Sequence, residues 1–132
     1  GGGSLNPASH ATVDEKMHFI KMAGNKVFPH AVRNMVDAAT RTLEKAGVAK
    51  EQLSLLIPHQ ANNRIIEAIG ERMAGGGDKI YVNIQKYGNT SAASIPIALD
   101  EAVRNGRIKK GDLVMLVAFG AGFTWGAVLI RW

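Results

Sequence analysis

LVMLVAFGAGFTWGAVLI, residues 113–130, runs for eighteen residues without a charge, and the way it is read decides the fold. As one helix it is long enough to cross a bilayer, and Gly122 and Gly126 stand in the GxxxG spacing of packed membrane helices. As two strands, residues 113–118 and 124–130, it is a pair of Val-rich buried runs broken by the glycine-rich residues 119–123. Glycines weaken a helix interior but serve a turn, so the second reading uses what the first must tolerate. The stretch therefore reads as two strands joined by a short turn, hence antiparallel, with no membrane span.

Working outward from that pair, residues 53–57 are strand-like and residues 62–73 carry Ile65, Ile66 and Ile69 on one helical face. Gly75, Gly76 and Gly77 break the chain before a strand expected over residues 80–84. Residues 91–105 predict a helix with Ser91 as N-cap, in which Pro96 should cause a kink or delay the first turn. Nearer the start, residues 17–22 read as a short strand. Residues 25–46 show a helical stripe through Val27, Phe28, Ala31, Val32, Met35, Val36, Ala39 and Leu43 that ends at Gly47. Residues 1–16 read as a loop or linker. Alternating strands and helices with near-continuous apolar strands predict an α/β fold: a five-stranded mixed sheet, mostly parallel, with helices on both faces.

Composition narrows the chemistry. At 132 residues, 46% hydrophobic and 20% charged, the chain suits one compact unit. It has no cysteine, which excludes disulfides, thiolate metal sites and a cysteine nucleophile within this chain, and fits a reducing compartment. Sixteen Lys and Arg against eleven Asp and Glu give a net charge of +5, which favours acidic partners. The longest basic run, Lys109-Lys110, has no interleaved aromatics, so a nucleic-acid partner is not expected. Gly1-Gly2-Gly3-Ser4 reads as a linker or a native glycine turn, and no signal peptide is visible.

In a parallel sheet ligands gather beyond the carboxyl ends of the strands, so the residues just after each strand are the informative ones. These are PHQAN at 58–62, KYGNTS at 86–91 and FGAG at 119–122. His59, Asn89 and Phe119 thus recur at thirty-residue intervals, one per structural unit. Imidazole and carboxamide N–H groups are neutral donors that can share one developing oxyanion, and glycine-loop amides can serve another. The plainer reading is that His59 is a structural hydrogen-bonder and Gly88-Asn89 a turn. Both stay open on spacing alone. His10, His18 and His30 match no motif and read as surface or structural residues.

Three separated stretches carry a resemblance: PHQANNRI, YGNTSAASIPIALDEAVRNGRIKKGD and AFGAGFTWGAVLIRW, with MAGNKVF at 22–28 in the same pattern. Together they resemble the carboxy-terminal half of the β-ketoacyl-acyl-carrier-protein synthase III family, from about residue 17 to residue 132. The resemblance implies one half of a thiolase-type fold and a cytoplasmic acyltransferase. Such an enzyme condenses acyl-CoA with malonyl-ACP (acyl carrier protein) to start fatty-acid synthesis, without metal or other cofactor. It implies catalytic roles for His59 and Asn89 in stabilising the enolate, and an oxyanion-hole role for the backbone N–H of Ala121. The nucleophilic cysteine would lie in an amino-terminal half, the partner without which this half is inactive, and the whole enzyme would be a homodimer. Asn25, Phe28, Ala61 and Asn62 match positions that bind the CoA or pantetheine arm, although Asn25 and Asn62 could equally be helix caps. Arg64 matches a position that docks the acidic carrier protein. Pro29 stands where a basic residue often follows the phenylalanine, so Arg33, one turn on, is expected to share that role. The alternative is a non-catalytic binding or dimerisation module on the same fold.

Overall fold

The computed structural model describes residues 3–19 and 21–132. Among the described residues five α-helices and three strands follow one another: α1 (His10–Asp14), α2 (Gly24–Ala46), β1 (Leu55–Pro58), α3 (Asn63–Ala74), α4 (Ile84–Tyr87), α5 (Ser94–Arg104), β2 (Leu113–Gly120) and β3 (Thr124–Arg131). The sheet order is β1-β2-β3, with β1 parallel to β2 and β3 antiparallel to it. The uncharged stretch is thus a hairpin. Among the described residues no helix is long and apolar enough to cross a membrane.

The expected helical stripe becomes α2. Its buried residues Ala31, Val32, Met35, Ala39 and Leu43 recur at helical spacing, which turns one face to the sheet. It stops at Gly47, whose φ of 64° is left-handed. There Gly47 N–H bonds Glu44 O and Val48 N–H bonds Leu43 O, the paired bonds of a Schellman ending, with Val48 packed on the Leu43 cluster. α3 starts under Asn62, whose side chain accepts from Arg64 N–H at 3.0 Å, and buries Ile66, Ile69 and Met73. Pro96 is the third residue of α5, where its missing N–H is one the helix start leaves unpaired anyway. Ser91 is not the cap: it has φ 53° and opens a 3-10 turn over Ser91–Ala93, so the delayed first turn is the outcome.

The core has two layers. α2 and α3 cover one face through Met35, Ala39, Leu56, Ile69, Met115 and Val117; α5 covers the other through Leu55, Ile57, Ala98, Ala102 and Val114. Consecutive strand residues point to opposite faces, so both faces of β1 and β2 are buried, as their unbroken apolar sequence requires.

Among the described residues the sheet has three strands rather than five. The segment expected to be a strand over 80–84 makes one parallel bridge, Leu56↔Ile80, and one adjoining bond from Tyr81 N–H to Leu56 O. It is then diverted, because Asn83 N–H bonds the buried Gln60 side chain at 2.9 Å in place of a strand, and α4 follows. The segment expected over 17–22 makes no ladder among the described residues, and a strand exists only as a member of a ladder. Phe19 and Met22 are exposed there, Lys16 turns the chain at φ 55°, and Ile20 lies outside the described residues. Gly1 and Gly2 of the amino-terminal glycine stretch also lie outside them. Within the expected linker, α1 is a single helical turn capped by Ser9.

Candidate active site

The carboxyl ends of β1 and β2 form one edge of the molecule. His59 continues the β1–β2 ladder by one bond, its N–H reaching Val117 O at 2.8 Å, so the imidazole leaves the sheet where β1 ends. It is half-buried. Its Nδ1 lies 2.6 Å from the Ser94 hydroxyl at the start of α5. Burial disfavours the charged ring and pushes the His59 pKa below its ordinary value.

Gln60, next in sequence, is only 1% exposed and anchors this end. Its amide N–H bonds Ser94 Oγ at 3.2 Å, and its side chain donates to Pro58 O and Tyr81 O and accepts from Asn83 N–H. Every polar group of the carboxamide therefore works, as burial demands. Asn83 in turn donates to Glu101, which also pairs with Lys86 at 2.5 Å. That short bond from Lys86 holds the Glu101 carboxyl below the usual range.

Asn89 is exposed in the turn that follows Gly88 (φ 69°) and precedes α5. Its Oδ1 accepts from Ser91 N–H at 3.0 Å, which assigns the amide orientation and leaves Nδ2 as the outward donor. Ala121 is exposed in the hairpin turn between β2 and β3, and the Thr124 hydroxyl donates to its carbonyl at 3.2 Å. The next two residues, Gly122 and Phe123, have φ of 78° and 52°, left-handed values that suit the glycine and are unusual for the phenylalanine. His59, Asn89 and Ala121 thus issue from three connected places: the end of β1, the approach to α5, and the hairpin that ends β2.

A second group meets at the amino ends of α2 and α3. The Arg64 guanidinium lies 5.5 Å from the ring centre of half-buried Phe28. Arg33 bonds His30 at 3.3 Å, and His30 meets Phe123 edge-on at 5.3 Å. Phe123 meets Phe119 in the same way at 5.6 Å, so α2 reaches the hairpin through aromatic rings. Ala61 is half-buried and its N–H bonds His59 O. Capping accounts for Asn62 but not for Asn25, because the N-cap of α2 is Ala23 and the Asn25 side chain accepts from its neighbour Lys26 N–H. Open cavities of about 480 and 360 Å³ lie elsewhere, beside Lys86 and Arg104 and beside Thr40 and Arg72. Among the described residues no three His, Cys, Asp or Glu side chains are grouped to hold a metal ion.

Sequence reading missed Ser94 and Gln60, whereas His30, read as a surface or structural residue, is exposed and bonds Arg33. The expected helix start at Ser91, three residues before the observed start of α5, hid Ser94.

The family model described as 3-oxoacyl-acyl-carrier-protein (ACP) synthase III C terminal matches residues 43–132. The chain belongs to this family. It is 55% identical over 131 residues to beta-ketoacyl-acyl-carrier-protein synthase III of Caldanaerobacter subterraneus subsp. tengcongensis, covering 99% of this chain and 40% of that protein. Solved structures of 3-oxoacyl-acyl-carrier-protein synthase III are similar as well. That from Aquifex aeolicus has a TM-score of 0.84 at 56% identity, over 86% of this chain and 37% of its own. That from Pseudomonas aeruginosa has a TM-score of 0.85 at 38% identity, over 95% and 39%. The fold is thiolase-like, and the chain spans about 40% of the length of the curated relatives it matches.

Proposed function

We propose that residues 17–132 are the carboxy-terminal half of a condensing enzyme that joins the acyl group of acyl-CoA to malonyl-ACP with loss of carbon dioxide. The observation that carries this reading is the pair of tethered donors. Ser94 engages His59 through Nδ1 and Ser91 engages Asn89 through Oδ1, so Nε2 and Nδ2 remain for a ligand at the same end of the sheet. When the malonyl carboxylate leaves as carbon dioxide, its bonding electrons move onto the thioester oxygen, and these two N–H groups hold the enolate oxygen. The enolate carbon then attacks an acyl thioester carried by a cysteine of the amino-terminal half. The Ala121 N–H and that cysteine's amide receive the tetrahedral oxyanion. Its collapse expels the cysteine thiolate and leaves the β-ketoacyl carrier protein.

Asn25, Phe28, Ala61 and Asn62 line the approach of the pantetheine arm in this reading. Arg64 and Arg33, both exposed, meet the acidic carrier protein at the rim. Arg33 bonds His30, whose ring touches Phe123 of the hairpin. The whole enzyme works in the cytoplasm as a homodimer, and neither a nucleic acid nor a membrane takes part.

In the full-length protein, His59→Ala and Asn89→Ala should each slow malonyl decarboxylation about 10²- to 10³-fold, the usual consequence of losing one preorganised oxyanion donor. The double variant should be little slower than the worse single one, since both donors serve one oxygen. Decarboxylation at the wild-type rate in Asn89→Ala would overturn the assignment. It would leave the chain as a binding or dimerisation module whose Gly88-Asn89 pair is a turn.

A further inference from the structure

Two hydrogen bonds converge on the Ser94 hydroxyl, and only one arrangement of protons satisfies all three groups. The oxygen accepts from Gln60 N–H at 3.2 Å, since a backbone amide can only donate. It also lies 2.6 Å from His59 Nδ1. If Nδ1 carried the ring proton, the hydroxyl would accept twice, and its own proton would have no acceptor among the described residues. Ser94 is 3% exposed, and a buried donor is rarely left unpaired. We infer that Ser94 is a positioning residue: its hydroxyl donates to His59 Nδ1 and so fixes the imidazole as the Nε2–H tautomer. This inference rests on the catalytic reading above for its consequence, because only that tautomer gives a neutral ring an N–H to aim at the enolate oxygen.

The geometry supports more than a tautomer. Ser94 opens α5, and the Gln60 amide that completes its oxygen belongs to the residue after His59. The helix start and the strand end are therefore locked together through one hydroxyl, and the ring plane is set from its rear edge. Burial, which lowers the His59 pKa, keeps the ring in the neutral form that has a tautomer to fix.

The test uses full-length protein labelled with ¹⁵N at histidine, read by two-bond ¹H–¹⁵N spectra that distinguish the tautomers. His59 of the wild type should be the Nε2–H form, a measurement that needs no variant to fold. Ser94→Ala should give a mixture of tautomers, and Ser94→Thr, which keeps the hydroxyl, should restore the single form. Decarboxylation should follow, with kcat falling about 10- to 100-fold in Ser94→Ala at a KM within about twofold, the scale typical of losing an orienting partner. An Nδ1–H tautomer in the wild type would overturn the inference, as would a Ser94→Ala protein that keeps both the Nε2–H form and the wild-type kcat. Failure of the catalytic reading looks different: His59→Ala would decarboxylate normally while the Ser94-dependent tautomer persisted.

Discussion

β2 and β3 pair along their whole length, from Leu113↔Arg131 to Gly120↔Thr124, and are similarly apolar, but they are not similarly buried. Val114 and Met115 of β2 are fully enclosed, whereas Val128 of β3 is 55% exposed. Alternation explains the contrast. Ala127 and Leu129 face α2 and pack on the core it covers, while Val128 faces the α5 side, where α5 reaches β1 and β2 but does not extend over β3. The outer edges differ too: β1 carries the Ile80 bridge on its flank, and β3 carries no further strand among the described residues. An apolar strand sequence thus states that cover is needed, and the rest of the fold decides whether this chain supplies it.

The strongest way to break that contrast is to cut into the covered side. Leu56 is fully buried between α2, α3 and β2, so Leu56→Ala removes packed volume that rigid neighbours cannot refill. It should cost about 2–5 kcal/mol in denaturant unfolding. A loss below about 1 kcal/mol would show that β1 is not the centre of the core.

The flank of β1 gives a sharper and smaller effect. Alanine in place of a helix-interior glycine normally gains about 1 kcal/mol from propensity. At Gly70 in α3 the sign should reverse, because a Cβ there would lie 1.8 Å from Ile80 Cδ1 and 2.6 Å from Cγ1. Gly70→Ala should therefore destabilise by about 1–3 kcal/mol, and adding Ile80→Ala should relieve part of it. A stabilising Gly70→Ala would mean that the Ile80 segment is free to move from the sheet.

Ile80 also marks where the sequence ceased to be legible. α2, α3 and the hairpin could be read because their signals are local: a stripe at helical spacing, a glycine stop, two apolar runs about one turn. The five-strand count failed because pairing is not local. Residues 80–84 have strand composition, but the Gln60 carboxamide, far away in sequence, takes the bond that a ladder would use. His59 was legible as the residue that follows β1, Asn89 was picked as following a strand over 80–84 where α4 stands instead, and Ser94 was not legible, since a serine among small residues shows its partner only once the helix start meets the strand end.

His59 offers a pH test of the buried site end. Its pKa is lowered by burial, so the folded protein binds this proton less readily than the unfolded chain does. Stability should therefore be unaffected above the ordinary value of 6.5 and should fall as pH drops below it. The NMR titration midpoint of His59 should lie below 6.5, and His59→Gln should flatten the decline in unfolding free energy between about pH 7 and about pH 5. A midpoint above 6.5 would mean that the ring is open to water or faces an acid.

The smallest effect tests β3 itself. In this chain alone, Val128→Ala should change stability by less than about 0.5 kcal/mol, as exposed positions do, although the apolar run around Val128 reads as a buried strand. The same substitution in the full-length protein, where the remaining length is available to cover the α5-side face of β3, should cost about 1 kcal/mol or more, as removal of enclosed methyl groups does. A dye that reports exposed apolar surface should bind the chain alone and bind Val128→Asp less, with little loss of fold. A cost above about 1 kcal/mol in the chain alone would place Val128 in the core. An equal, small cost in both forms would leave the face open to water throughout, and the apolar residues of β3 would then need another explanation than a missing cover.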